Sequence, residues 1–424
     1  MNNIYTRSIL FVFFLLFVSC SNTSGPEDTI PSENNTNFDV TWTDNTKFFD
    51  STSKNSLIQN DTSNMTLYFD PTKPMAKELK TGDIIMVHGE VLAKALDVSE
   101  VAGKIKVKYE NAKLTDAIKD GILDWSVTTD FDRAAVFEMI IPNGKGGEIA
   151  ILEPTSLNTI DYTGKVGPYK YKITLDITKD NLGVNLSIEK KINEYVSAKF
   201  STKGKISKMK SISNIEIENS ELKNFDYKND NVEGELTVSM EAKADAGADD
   251  IGLNIPVVLV KYPFLVGPIP VILTIKLDFA MSYGVPLGAK AQAKVEASFS
   301  FNSNGNFNYN GTTVDYKASA GNLNINKKEG LTTAPSPIWA EYGVSFPYIS
   351  LNILGNTVVP TFKSTFIVRG DYSPPVFTDP PCHNAYLYFA GVAGIDLNFF
   401  NVNLYQNDVN LWFKDYHFIK EGCD

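Results

Sequence analysis

The stretch Val271–Phe301, VILTIKLDFAMSYGVPLGAKAQAKVEASFSF, decides the fold. Its odd positions stay apolar or small from Val271, Leu273, Ile275, Leu277 and Phe279 through Val295, Ala297, Phe299 and Phe301, while the even positions beyond Ile272 are mostly polar or small. Period-two alternation is the pattern of a strand with one buried face. As one strand the run would reach about 100 Å at ~3.3 Å per residue, so Gly284–Gly288 (GVPLG) is expected to mark a bend or hairpin connection between two strands of about a dozen residues each.

The same alternation recurs outward from this run. In Glu235–Ala246 the even positions (Leu236, Val238, Met240, Ala242) are apolar and the odd ones polar, and Tyr169–Ile177, Val184–Glu189, Tyr195–Ser201, Ala385–Ala390, Ile395–Leu404 and Val409–Tyr416 read as further strands. A change of parity at Phe399 and Phe400 predicts a β-bulge there. Helix is scarce, its best candidate being Leu114–Leu123 with Thr115 or Asp116 as cap. The apolar segment Ile251–Leu277 is interrupted by Pro256, Pro263, Pro268 and Pro270. It therefore reads as two buried strands joined by a turn at Val266–Pro268 and not as a membrane helix. The expected class is all-β: mostly antiparallel β-sandwich-like modules with long strands and helix below about a tenth of residues, against the usual third.

The N-terminus carries a cell address. Arg7 precedes the ten-residue apolar run Ile9–Val18, and Ser19-Cys20 follows it, which resembles the lipobox of bacterial lipoproteins. Cys20 is expected to be lipidated and to anchor the protein in the bacterial cell envelope, at the outer membrane. The polar segment to residue 37 lacks the apolar surface to order itself and reads as a tether. The expected organisation is a signal peptide at 1–19, a tether at 20–37, an N-terminal β module with one short helix at 38–165, a central long-stranded module at 166–330 and a C-terminal module at 331–424 packed on the central one.

Cys382 and Cys423 are then an even pair in an oxidising compartment, and a disulfide between them would contribute about 3 to 4 kcal/mol by closing a loop of about 40 residues. The rival reading, a zinc site with His383 and His417, lacks the usual ligand spacing. Neither metal nor cofactor is expected.

The net charge is −11, and Arg7, Arg133 and Arg369 are the only arginines among 39 basic residues. Nucleic-acid sites lean on the guanidinium fork and a basic footprint, so nucleic acid is not an expected partner. The cluster Lys203, Lys205, Lys208 and Lys210 reads as a solvated strand face.

Two segments are similar to a known family. Thr81-Gly82-Asp83-Ile84-Ile85-Met86-Val87, a strand at Lys104–Tyr109 and Asn111-Ala112-Lys113-Leu114-Thr115-Asp116-Ala117-Ile118 resemble the GDII…AxLTDAI module of an uncharacterised family of modular secreted bacterial surface proteins. Gly267-Pro268-Ile269-Pro270-Val271, with the alternating run behind it, resembles the G-P-x-P-V strand found further along the same proteins. The resemblance implies an extracytoplasmic all-β surface protein and assigns no activity. Physically, Gly82-Asp83 opens a strand and Thr115-Asp116 caps a helical turn.

Catalytic motifs are absent: neither H-E-x-x-H nor G-x-S-x-G occurs, and His88 sits at a strand end. Glu148, Glu153, Asp176, Glu189 and Asp278 lie on or near strands, but acids alternating with apolar residues are what any half-wet sheet shows. Asp226–Asn231 and Asp245–Asp250 read as solvated turns without calcium-loop spacing. Among the aromatic residues, the cluster Trp339, Tyr342, Phe346 and Tyr348 is the first candidate for a ligand platform. The expected function is a non-catalytic, lipid-anchored envelope or surface protein binding a glycan, a protein or an envelope component. A carboxylate-based polysaccharide hydrolase and a lipid-binding or membrane-inserting β-protein are the alternatives.

Overall fold

A computed structural model describes residues 34–133, 137–142, 147–152, 159–166, 169–191, 196–244, 253–284, 291–329, 338–354, 357–375 and 377–422. Strand accounts for 74% and helix for 5%, the all-β class that the alternation predicts. Along the chain, β1 (Asn35–Trp42) is followed by a small module of β2 (Thr46–Phe49), β3 (Leu57–Asp61), β4 (Thr66–Phe69), the single turn α1 (Pro74–Lys77), β5 (Ile84–Val87), β6 (Val91–Val101) and β7 (Lys104–Asn111). The turn α2 (Leu114–Ala117) leads into β8 (Ile118–Thr128), and β9 (Phe137–Pro142) pairs with β10 (Gly147–Leu152). Next come β11 (Thr159–Val166), β12 (Tyr169–Ile177), β13 (Asn181–Lys191), β14 (Val196–Ser207), β15 (Lys210–Glu218) and the long β16 (Glu221–Ala244). The chain ends with β17 (Leu253–Val266), β18 (Ile269–Gly284), β19 (Ala291–Tyr309), β20 (Val314–Ser319), β21 (Leu323–Glu329), β22 (Ile338–Ile353), β23 (Thr357–Ser373), β24 (Cys382–Asp396) and β25 (Tyr405–Glu421).

An eleven-stranded antiparallel sheet runs β1-β8-β15-β16-β14-β13-β12-β11, with β19 on the long β16 and β20 and β21 on β19. A six-stranded sheet, β17-β18-β22-β23-β24-β25, faces it. Their inner faces share one apolar core. Phe299 and Phe301 of β19 meet Phe366 of β23 at ring distances of 4.7 and 4.9 Å, and Phe366 stacks on Phe389 of β24 at 4.8 Å. Phe200 stacks on Tyr342, whose hydroxyl bonds to that of Thr202, and the Ser303 and Ser364 hydroxyls pair at 3.1 Å. This is face-to-face sheet packing, each strand giving alternate residues to the core.

The run Val271–Phe301 divides between the two sheets: β18 pairs with β17 and β22, β19 with β16, β20 and β21. Odd positions face inward in both strands, and residues 285–290, where the bend or hairpin at Gly284–Gly288 was expected, lie outside the described residues. Leu273, Ile275, Leu277, Val295, Ala297 and Phe299 are all buried, as are Leu236 and Val238. The expected turn at Val266–Pro268 is a two-residue hairpin, Val266 facing Ile269 across Gly267 and Pro268. Gly267 has φ +58°, the first-position glycine that a type II′ turn requires.

The six-stranded sheet β2-β5-β6-β7-β4-β3 has a core of its own around Phe49, Leu67, Phe69 and Val107. β5, the Ile-Ile-Met-Val of the GDII motif, separates the two cores: Ile85 and Val87 enter the small one, Ile84 and Met86 the large one. Meanwhile β1 and β8 join the large sheet through β15. Strands from the expected N-terminal and central modules therefore share one sheet, and those from the central and C-terminal modules share the other.

Several local expectations are corrected. The helix at Leu114–Leu123 is a single turn ending at Ala117, because Ile118 onward is taken by pairing with β1 and β15. Its cap is the Asp116 carboxylate, which accepts the Lys113 amide at 2.9 Å. In place of a bulge at Phe399 and Phe400, a 3₁₀ turn spans Asn398–Phe400 and buries both rings. Asp226–Asn231 is not a turn but part of β16, with a bulge between Asn229 and Val232 where Asn231 has φ +58°. β1 begins at Asn35, inside the segment read as tether. Lys276, Asp278, Lys294 and Glu296, polar even positions that the alternation would leave wet, are half-buried, and Lys290 of the same set lies outside the described residues. Of the lysine cluster, Lys203, Lys205 and Lys208 are exposed as expected, Lys205 pairing with Glu235 at 3.4 Å and Lys208 with Asp180 at 3.1 Å, whereas Lys210 is half-buried.

Candidate functional site

The outer face of the large sheet carries a polar groove of about 330 Å³, built from five segments. Register places Lys205 of β14, Glu235 of β16, Ser300 of β19 and Asn324 of β21 in one row across four strands. The adjoining positions pair Glu233 with Asn302 and Asn181 with Ser207. The loop before β21 adds Asn322, and the Asn302 carboxamide oxygen accepts its backbone amide at 2.6 Å, fixing that loop at the rim. Gly321, at φ +55°, makes this possible, since a Cβ there would lie 1.9 Å from the same oxygen.

Four asparagines, two serines, two glutamates and one lysine thus converge. An asparagine amide donates two hydrogen bonds and accepts two from one side chain, the pairing that ligand hydroxyls need. The volume sits at the lower end of the ~300–1,000 Å³ usual for small-molecule sites.

The aromatic cluster anticipated at Trp339, Tyr342, Phe346 and Tyr348 divides between the faces of β22. Tyr342 and Phe346 point into the core and are fully buried. Trp339 and Tyr348 lie half-buried on the outer face, about 30 Å apart along the strand at ~3.3 Å per residue. They are two separate positions. The Arg369 guanidinium covers the Trp339 ring at 5.4 Å and pairs with Asp371 at 3.0 Å and Glu341 at 3.6 Å.

The other sequence candidates remain dispersed. Asp176 and Glu189 are exposed at distant positions of β12 and β13, and Asp278 lies on β18. The side chains of Glu148 and Glu153, the segment Asp245–Asp250, and Cys20 and Cys423 lie outside the described residues. Cys382 is disulfide-bonded. His417 contacts Asp415 at 3.1 Å and Asn384 at 3.4 Å, whereas His383 packs on Tyr372. Among the described residues no three His, Cys, Asp or Glu side chains gather as a metal would require. Burial lowers the His88 pKa and Lys54 lowers it further, against the pull of Asp50.

Sequence reasoning missed the groove because its residues span positions 181 to 324 and each one, taken alone, reads as the wet side of a strand. No family model matches the chain, and no curated protein or solved structure matches it significantly.

Proposed function

We propose that this chain is a lipid-anchored protein of the bacterial cell envelope that binds a glycan, without catalysis, in the asparagine-lined groove of its large sheet. The observation that carries the reading is the groove's lining: amides, hydroxyls and a charged pair, Lys205 and Glu235, held on a rigid sheet face. The apolar run behind Arg7 and Cys20 supports the anchor, and the resemblance to secreted surface modules supports the compartment. Val271, Leu273, Ile275 and Leu277 of β18 are buried in the core between the two sheets, which favours this reading over a lipid carrier.

The groove also gives a hydrolase reading one point of support. Glu233 and Glu235 sit two residues apart on one face, with backbone positions about 7 Å apart along the strand, a spacing from which their carboxylates can reach the ~6.5–9.5 Å separation of inverting glycosidases. Both, however, rise from the same strand, whereas acid and base must flank the scissile bond from opposite sides.

Glycan-array binding with product analysis tests the two together. Retained glycan without cleavage, lost in Asn324→Ala and Asn181→Ala, supports binding; turnover abolished by Glu235→Gln supports the hydrolase. Replacing Cys20 by Ser should release the protein from membranes, and non-reducing peptide mapping should link Cys382 to Cys423.

A further inference from the structure

The opposite outer face, that of the six-stranded sheet, carries a second constellation independent of the groove. Register sets Lys276 of β18, Tyr348 of β22 and Lys363 of β23 side by side in one row. The Lys276 ammonium lies 5.1 Å and the Lys363 ammonium 4.7 Å from the centroid of the Tyr348 ring, so two cations flank one phenol. The neighbouring row on the same face reads Lys261, Thr274, Ser350 and Thr361 across β17, β18, β22 and β23. Ser350 is fully buried, and its hydroxyl has no hydrogen-bond partner among the described residues.

Three ammonium groups thus gather over four adjacent strands. Asp278, the next residue but one after Lys276 on β18, is the carboxylate that acts on Lys276. Burial lowers the Lys276 pKa and the charges of Lys363 and Lys261 lower it further, against the pull of Asp278. The Tyr348 ring draws the two ammonium groups by its π face alone, and a buried hydroxyl without a partner leaves its desolvation uncompensated. Concentrated positive charge above an unpartnered donor is what an oxyanion relieves: it accepts hydrogen bonds from several ammonium groups and one from the serine hydroxyl as well. Lysine serves as a point-charge phosphate binder, and its long stem can turn to admit the ligand.

We infer that Lys261, Lys276 and Lys363, with the Ser350 hydroxyl at their base and Tyr348 between them, form a binding site for a phosphate group. A phosphate presented by a lipid headgroup and free phosphate share this chemistry.

The test titrates the full protein with inorganic phosphate by calorimetry. In parallel it measures flotation with phosphatidylcholine vesicles, with and without phosphatidylglycerol. Lys276→Met and Lys363→Met should each weaken binding about tenfold and Ser350→Ala several-fold, with Lys317→Met, exposed on β20 and part of neither site, as the unaffected control. Circular dichroism and thermal melting establish that each variant is folded, and Lys363→Gln replaces any that is not. Binding to phosphatidylglycerol vesicles alone makes the source a lipid headgroup, and binding to inorganic phosphate alone makes it a free phosphate. Failure of the native protein to bind either, or variants that bind as the native protein does, overturns the assignment.

Discussion

The side-chain amide of Asn401 donates to the Asp116 carboxylate at 3.1 Å and to the Thr115 hydroxyl at 3.0 Å, tying the turn before the last strand to the helical turn of the N-terminal motif. Asn401 holds φ +61°, a conformation that asparagine tolerates better than most residues. Beside it Phe400 packs on Phe225 at 5.4 Å. The Thr-Asp of the motif therefore caps a turn and also receives a clasp from a segment 285 residues away.

Asn401→Ala loses both bonds and strains the backbone, whereas Asn401→Gly loses only the bonds. Chemical denaturation should show a loss of about 1–2 kcal/mol for alanine and a smaller one for glycine. Equal losses would mean that the positive φ contributes nothing.

Phe366 is the centre of the sandwich, within 5 Å of three other rings. Removing it leaves a cavity that two sheets cannot close without repacking, so Phe366→Ala should cost about 3–5 kcal/mol. Phe413 is 62% exposed on edge strand β25, and Phe413→Ala should change stability by no more than about 0.5 kcal/mol. Urea unfolding of the two variants measures the contrast.

Gly267 and Gly82 separate strain from crowding. Both have positive φ, but a Cβ on Gly267 would lie 2.3 Å from the Phe38 ring, while one on Gly82 meets nothing within 4 Å. Gly82→Ala should therefore cost about 1 kcal/mol from backbone conformation alone, and Gly267→Ala distinctly more, since the β17–β18 hairpin must move off β1. Melting temperatures that fall in the reverse order contradict this account.

The strands were legible because period two reports one buried face directly: Tyr169–Ile177 is β12 residue for residue. Sheet partnership was not, since Leu277 and Val295 have the same inward parity whether their strands form a hairpin or lie in opposed sheets. Leu114–Leu123 read as helix because local spacing cannot register that β1 and β15 pair with the same residues. The candidate sites failed for a related reason. Asn181 and Asn324 come to line one groove, and Lys276 and Lys363 to flank one ring, only through strand register, and each alone looks like an ordinary solvent-facing residue.

Tyr227 gives the fold a dependence on alkaline pH. Its ring is fully buried, and burial holds its pKa at about 12, above an ordinary value of 10.0, while hydrogen bonds with Ser211 and Asn229 pull it partway back. The hydroxyl donates to the Asn229 carboxamide oxygen at 2.9 Å. Because the folded pKa is raised, the unfolded chain loses this proton first as pH climbs. Below about pH 10 the stabilisation is complete, and between about 10 and 12 it drains away, by up to about 3 kcal/mol for two pKa units. Tyr227→Phe cannot ionise. It should cost about 1–2 kcal/mol at neutral pH, where Asn229 loses its partner, yet lose stability less steeply than the native protein above pH 10. Urea midpoints measured from pH 8 to 12 on both proteins should converge with rising pH, and parallel curves would show that Tyr227 is not the group that titrates.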